Sequence, residues 1–186
     1  IINRSDIFVY YDTVQYTKND WRNRNRIKTP NGIHWLTIPV QSGPLSKAIF
    51  ETNIASINWT KKHCLAFQHN YRKADFYHEV FRMLSPLYLN KNYSKLSDAV
   101  ISINNVILSY LQIKTKVLKA SEILVNPEAG RYSSKTERIV NICRQLGATS
   151  YLSGPSASQY LDNAQFGAQN IQLNDSNYSG YSYYKQ

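Results

Sequence analysis

Three arginines, Arg22, Arg24 and Arg26, alternate with Asn23 and Asn25 in the stretch DWRNRNRI. Side chains of an extended chain alternate between two faces, so the three guanidinium groups would share one side. Cations held together repel unless something balances them, and a guanidinium fork suits a phosphate or a carboxylate. Asp12 and Asp20 are the carboxylates at hand in the sequence, and an external anion is the other way to balance the charge. His63 is the second residue capable of chemistry. Imidazole titrates near neutrality and handles protons, although a lone helical histidine also serves as a hydrogen-bonded packing group. Asp12, at the end of an apolar run, is a further candidate for proton handling or orientation. Residues 152–156, LSGPS, read as a strand entering a Gly/Ser turn. Backbone N–H groups and hydroxyls at Ser153 and Gly154 suit a phosphate, and the same residues also make an ordinary turn.

Other chemistries leave no signature. The four histidines form no H-x-x-x-H pair and sit at no spacing that suggests a zinc site, so no metal is expected. Neither glycine-rich phosphate fingerprint is present, nor a G-x-S-x-G elbow, and no cofactor is implied. Cys64 and Cys143 make no disulfide framework. They read as buried thiols in apolar helical contexts, with a reducing cytoplasm as the expected compartment.

Twenty-two basic and 12 acidic residues give the 186-residue chain a net charge of +10, which favours anionic partners. Part of the excess is local, because residues 18–28 hold five basic groups against Asp20 alone. Apolar content of 42% indicates a folded protein, and no run approaches the roughly 20 apolar residues of a membrane span. Fifteen tyrosines supply apolar area with a hydroxyl attached.

The elements that must position these groups follow from pattern. Residues 7–12 predict a strand, with the basic stretch as a loop beyond it. Pro30-Asn31-Gly32 marks a turn, and residues 34–40 a second strand, paired with the first as a hairpin-like unit. A helix is expected over 58–71 with Asn58 as cap, placing Trp59, His63, Phe67 and Tyr71 on one face. A second helix, 74–84, should stop before Pro86, and a third run over 97–119. Residues 122–125 suggest a strand. Ser134-Lys135-Thr136-Glu137 has capping-box form, opening a helix that ends at Gly147. Strands at 149–153 and 170–173, with a helical turn at 158–161, complete the alternation. The fold class is α/β, a mixed or mostly parallel sheet flanked by helices with a helical insertion mid-chain.

Asp12-x-x-Gln15-Tyr16, Trp21, Asn23-Arg24-Asn25 and Ile27 resemble the signature of the WbqC-like protein family. The likeness continues through residues 36–39, Trp59 with His63, Tyr71, Lys135-Thr136-Glu137-Arg138, residues 151–155 and Tyr160-Leu161. It implies a bacterial cytoplasmic protein of surface-polysaccharide (O-antigen) biosynthesis. The expected activity is acyl or aminoacyl transfer to an amino sugar carried on a nucleotide. With the arginines, Gln15, Asn25 and Tyr71 join Ser153 and Gly154 as expected substrate-binding positions, and Asp12 and His63 as catalytic ones. The family's usual opening and closing segments are absent, so residues 1–186 read as one domain truncated at both ends. A basic nucleic-acid-binding module and a non-catalytic scaffold of a polysaccharide assembly are the alternatives.

Overall fold

The computed structural model describes residues 1–44, 46–124, 134–157, 159–177 and 180. A single 3-10 turn, Ile2–Arg4, leads into strand β1, Ile7–Tyr10. Strands β2, Arg24–Thr29, and β3, Gly32–Thr37, form an antiparallel hairpin in which Arg26 lies opposite Trp35. Here the structure corrects the sequence. The basic stretch is itself a strand, and its partner is the segment beyond the Pro30-Asn31 turn rather than β1. The turn closes through Gly32, at φ +101°, and through the Thr29 hydroxyl, which donates to the Gly32 carbonyl at 2.8 Å.

Three helices follow: α1, Trp59–Tyr71; α2, Tyr77–Leu89; and α3, Leu96–Tyr110. They are the helical insertion that the sequence implies. Asn58 precedes α1 but makes no side-chain capping bond. Pro86 lies inside α2 instead of after it. Burial of Leu87 and Tyr88 in the following turn offsets the lost backbone bond, at about 1.5–3 kcal/mol per side chain. α3 closes at Tyr110, because Gln112 adopts φ +56° and the Ile113 N–H bonds the Leu108 carbonyl. The expected continuation to residue 119 is instead strand β4, Lys116–Lys119.

Helix α4, Ala120–Ile123, takes Glu122 and Ile123, which were expected in a strand; Val125 lies outside the described residues. Helix α5, Lys135–Gln145, opens on the capping box, with Ser134 Oγ accepting from the Glu137 N–H at 3.1 Å. It ends at Gly147, φ +63°, as its sequence requires. Strand β5, Ser150–Ser153, helix α6, Asn163–Gly167, and strand β6, Gln172–Asp175, complete the order. Ser158, in the expected helical turn, lies outside the described residues. β6 begins later than expected because Asn170, φ +56°, and the Ile171 N–H, bonded to the Phe166 carbonyl, first close α6.

The chain forms two compact units, Asp12–Lys114 and Ile1–Tyr11 with Thr115–Gln186. The first holds the hairpin and α1–α3 around Trp59, Leu96, Ile38, Cys64 and Tyr88. The second pairs β1 with β4 and β5 with β6, both parallel, and packs α5 and α6 around Ile139, Val140, Cys143 and Phe166. Parallel and antiparallel pairs flanked by helices make this an α/β protein. Both cysteines are buried free thiols, and burial raises the Cys143 thiol to about 11.

Candidate functional site

In an antiparallel hairpin directly opposed residues share a face. Register therefore places Arg24, Arg26 and Lys28 on one side of β2–β3 with Thr37, Trp35 and Ile33. Of that side, Ile33 is 66% exposed and Trp35 38%. Trp21, 57% exposed, meets Trp35 with ring centroids 5.1 Å apart. The Arg24 guanidinium lies 4.3 Å from the Trp35 ring centre, and that of Arg26 lies 4.9 Å from Trp21 and 5.5 Å from Trp35. Stacking on the negative face of an indole holds each cation in place without neutralising it.

The three arginines differ in compensation. Arg22 pairs with Asp20 and hydrogen-bonds Thr17, so its charge is matched internally. Arg24 donates to the Asn19 carbonyl, and its Nε is buried without a partner among the described residues. Neither Arg24 nor Arg26 has a carboxylate within ion-pair distance among the described residues. Tyr16 stands near this group. Burial raises its hydroxyl pKa, while Arg22 and Arg24 pull it back.

Helix α1 clamps the hairpin from beneath at two points. The Tyr71 hydroxyl accepts from the Lys28 N–H at 3.0 Å, which makes Tyr71 a tether of the sheet. His63 Nε2 lies 3.2 Å from the Thr37 carbonyl. A carbonyl only accepts, so Nε2 carries the proton. At the base of the hairpin, Asn23 Nδ2 donates to the Ile38 carbonyl at 2.9 Å, while the Ile38 N–H returns a bond to the Asn23 carbonyl at 2.8 Å. Asn23 Oδ1 is buried with no partner among the described residues.

His63 is buried against Trp59 and Tyr88, at ring-centre distances of 5.0 and 5.9 Å. Desolvation lowers its pKa below the ordinary 6.5, with the Thr37 bond acting in the opposite sense. The unfolded chain then binds the proton more readily than the folded one. The stability contributed by neutral His63 is present above pH 6.5 and is lost as pH falls toward the folded value. Urea midpoints of the wild type should therefore drop between pH 7 and pH 5, and His63→Gln should flatten that dependence.

The other expected site residues are placed as follows. Asp12 is buried, and its main-chain carbonyl accepts from the Phe50 N–H at 3.0 Å. Gln15 bridges to Ala48 at the other end of that contact. Asn25 is exposed and its Oδ1 accepts from the Arg26 N–H at 2.7 Å. Ser153 and Gly154 belong to the other unit. Ser153 is fully buried and spends its hydroxyl on the Gly154 carbonyl at 3.1 Å.

That unit has a polar cluster whose Lys135, Thr136, Arg138 and Tyr160 the resemblance marks in the sequence but which is not among the expected site residues. Tyr11 Oη and Arg138 Nε are buried without partners among the described residues, and Arg138 acts on Tyr11 electrostatically. Lys135 stacks on Tyr160 at 4.8 Å, and the Thr136 hydroxyl accepts from the Asp162 N–H at 3.2 Å.

Arg24 and Arg26 thus present two guanidinium groups, stacked on indoles and with no carboxylate partner among the described residues, on the exposed hairpin of an α/β protein. A model of the WbqC-like protein family matches residues 1–186, so the chain belongs to that family. It is similar to Rv1507c of Mycobacterium tuberculosis, an uncharacterised protein. The two are 41% identical over 182 residues, which are 97% of this chain and 76% of the relative. No solved structure matches. No helix among the described residues is long and apolar enough to cross a membrane.

Proposed function

We propose that this protein is a transferase of bacterial surface-polysaccharide biosynthesis that holds a nucleotide-activated sugar on the β2–β3 hairpin. The observation that carries the reading is the pair Arg24 and Arg26, stacked on Trp21 and Trp35 with no carboxylate partner among the described residues. Two cations on one face of β2, at alternate residues, can each address one phosphate of a diphosphate, and exposed indoles offer a flat surface to a base or sugar ring. Membership of the WbqC-like family supports the polysaccharide setting, and acyl or aminoacyl transfer to an amino sugar is the activity this reading assigns within it. In this reading His63 positions the site through Thr37, and Asp12 is the carboxylate assigned to proton handling. Calorimetric titration with nucleotide sugars tests it. Saturable binding that is lost on removing the free nucleotide's diphosphate group supports the reading, and no heat with any nucleotide sugar overturns it.

The same platform also fits single-stranded nucleic acid, since aromatic rings beside cations stack successive bases. Binding of oligonucleotides that weakens steeply with salt, without nucleotide-sugar binding, would favour that second reading.

A further inference from the structure

We propose that the unit formed by Ile1–Tyr11 and Thr115–Gln186 holds a binding site of its own, for a dianionic phosphate group. Lys135, Arg138, the Tyr11 hydroxyl and the Tyr160 ring compose it, beside the opening turns of α5.

Three separate stretches of chain bring these side chains together. Tyr11 follows β1 at its carboxyl end and packs against the core that α5 shares with Leu161 and Phe166. Lys135 and Arg138 stand three residues apart at the start of α5, so they share one side of the helix. Tyr160 belongs to the segment that leaves the carboxyl end of β5. It is 47% exposed, and the Lys135 ammonium lies 4.8 Å from its ring centre. The Thr136 hydroxyl donates to the Tyr160 carbonyl at 3.4 Å, which ties that segment to α5. Arg138 and Tyr160 both act electrostatically on Tyr11, so the four groups occupy one neighbourhood. It lies beyond the carboxyl ends of parallel strands, where α/β sheets receive ligands.

Unmet donors and unmatched charge together call for an anion. Arg138 Nε and Tyr11 Oη are both buried, and neither has a hydrogen-bond partner among the described residues. A buried polar group left unpaired is costly, and a guanidinium N–H is satisfied only by an acceptor. Burial raises the Tyr11 pKa, so the phenol keeps its proton and can donate as well. Neither Lys135 nor Arg138 has a carboxylate within ion-pair distance among the described residues. Asp162, which bonds Thr136, turns its oxygens to the Ala164 N–H and the Gln165 amide at 2.9 and 3.1 Å. Glu137 stands one and two positions from the two cations, spacings that do not face each other on a helix. Lys135 also sits at the positive end of the α5 dipole, where a cation is disfavoured. A water would satisfy the donors and leave both charges standing, and a carboxylate would cancel one. A phosphate dianion cancels both, accepting from Arg138 and Tyr11 while Lys135 approaches as a point charge.

NMR of the Arg138 Nε–H resonance tests the proposal, at about pH 7.5, above the phosphate second pKa of about 6. Inorganic phosphate and phenyl phosphate are titrated separately, with acetate at matched ionic strength as the control. Phosphate should move the resonance saturably, and acetate should not. Tighter binding of phenyl phosphate assigns the site to an ester whose ring lies against Tyr160. Tighter binding of inorganic phosphate assigns it to the free ion, and either order supports a phosphate site. Arg138→Gln should weaken the binding at least about tenfold, the low end for a charged hydrogen bond. Tyr11→Phe keeps the packed ring and should weaken it about threefold, as a neutral hydrogen bond would. Arg24→Ala combined with Arg26→Ala should leave it unchanged, so the hairpin reading can fail without touching this site. No shift with either phosphate overturns the proposal. So does an equal shift with acetate, or loss of the response in the Arg24→Ala, Arg26→Ala variant.

Discussion

If the hairpin holds a nucleotide sugar as proposed, Arg24→Ala combined with Arg26→Ala should weaken its binding at least about 100-fold, while Arg22→Ala should change it less than about threefold. The contrast follows from compensation. Arg22 is already paired with Asp20, so its removal deletes an internal ion pair on the surface, worth about 0–1 kcal/mol. Arg24 and Arg26 are held over indole rings with their charge unmatched. A hydrogen bond to a charged group contributes about 1.5–3 kcal/mol, and two such losses make the 100-fold a lower bound. Arg26→Lys retains the charge but loses the planar fork and the stacking, so it should fall between the single Ala variant and wild type. Calorimetry on folded variants makes the measurement. Equal losses for Arg22→Ala and Arg26→Ala would show that bulk charge, not the stacked pair, recruits the ligand.

Trp59→Ala destabilises the protein by about 3–5 kcal/mol, the range for emptying a large aromatic from a packed core. Trp59 is 2% exposed and meets His63, Tyr88 and Tyr93 with ring centres 5.0, 5.4 and 6.5 Å away. Its indole N–H is buried without a partner among the described residues, which trims the net contribution and places the loss toward the lower end. The same cavity would release His63 from beneath Thr37, so the hairpin face should loosen with the core. Trp21→Ala is the control. Trp21 is 57% exposed, and its removal should cost within about 0.5 kcal/mol while weakening ligand binding. Urea denaturation of both variants checks the pair of expectations, and similar stability losses would place Trp21 in the core's energetics after all.

Local chemistry was readable from the chain, and pairing was not. Ser134 and Glu137 cap α5 because both partners lie within one turn, and Gly147 ends the helix because its own backbone permits φ +63°. The stretch Arg24–Thr29 carries no apolar alternation, so nothing local marks it as a strand. It becomes one by laddering with β3, and only that register puts Trp35 opposite Arg26. With the Pro30-Asn31 turn read as a two-residue hairpin loop, the pairing follows by counting outward, which was the available signal. Lys116–Lys119 likewise fits a helix tail until β1 claims it. Pro86 shows the reverse case, in which a sound local rule yields to burial of Leu87 and Tyr88. For the site, the side-by-side placement of Arg24 and Arg26 was legible. The pairing of Arg22 with Asp20 was open between an internal and an external anion. Ser153 reads as a polar turn residue but lies fully inside the core.

The connection from β1 to β4 is the whole unit Asp12–Lys114. Joining those strands in an unfolded chain means closing a loop of about 100 residues, at an entropic cost of about 4 kcal/mol. Once the intervening unit has folded, its ends are held and most of that cost is gone. The order of events is therefore set by topology: hairpin and helices first, the parallel β1–β4 pair afterwards. Pulse-labelled exchange during refolding should protect α1 and α3 amides before those of Phe8 and Leu118, and simultaneous protection would refute it. A nascent chain leaving the ribosome would thus carry β1 unpaired until a hundred further residues have emerged, an interval in which its exposed strand depends on being kept from other chains.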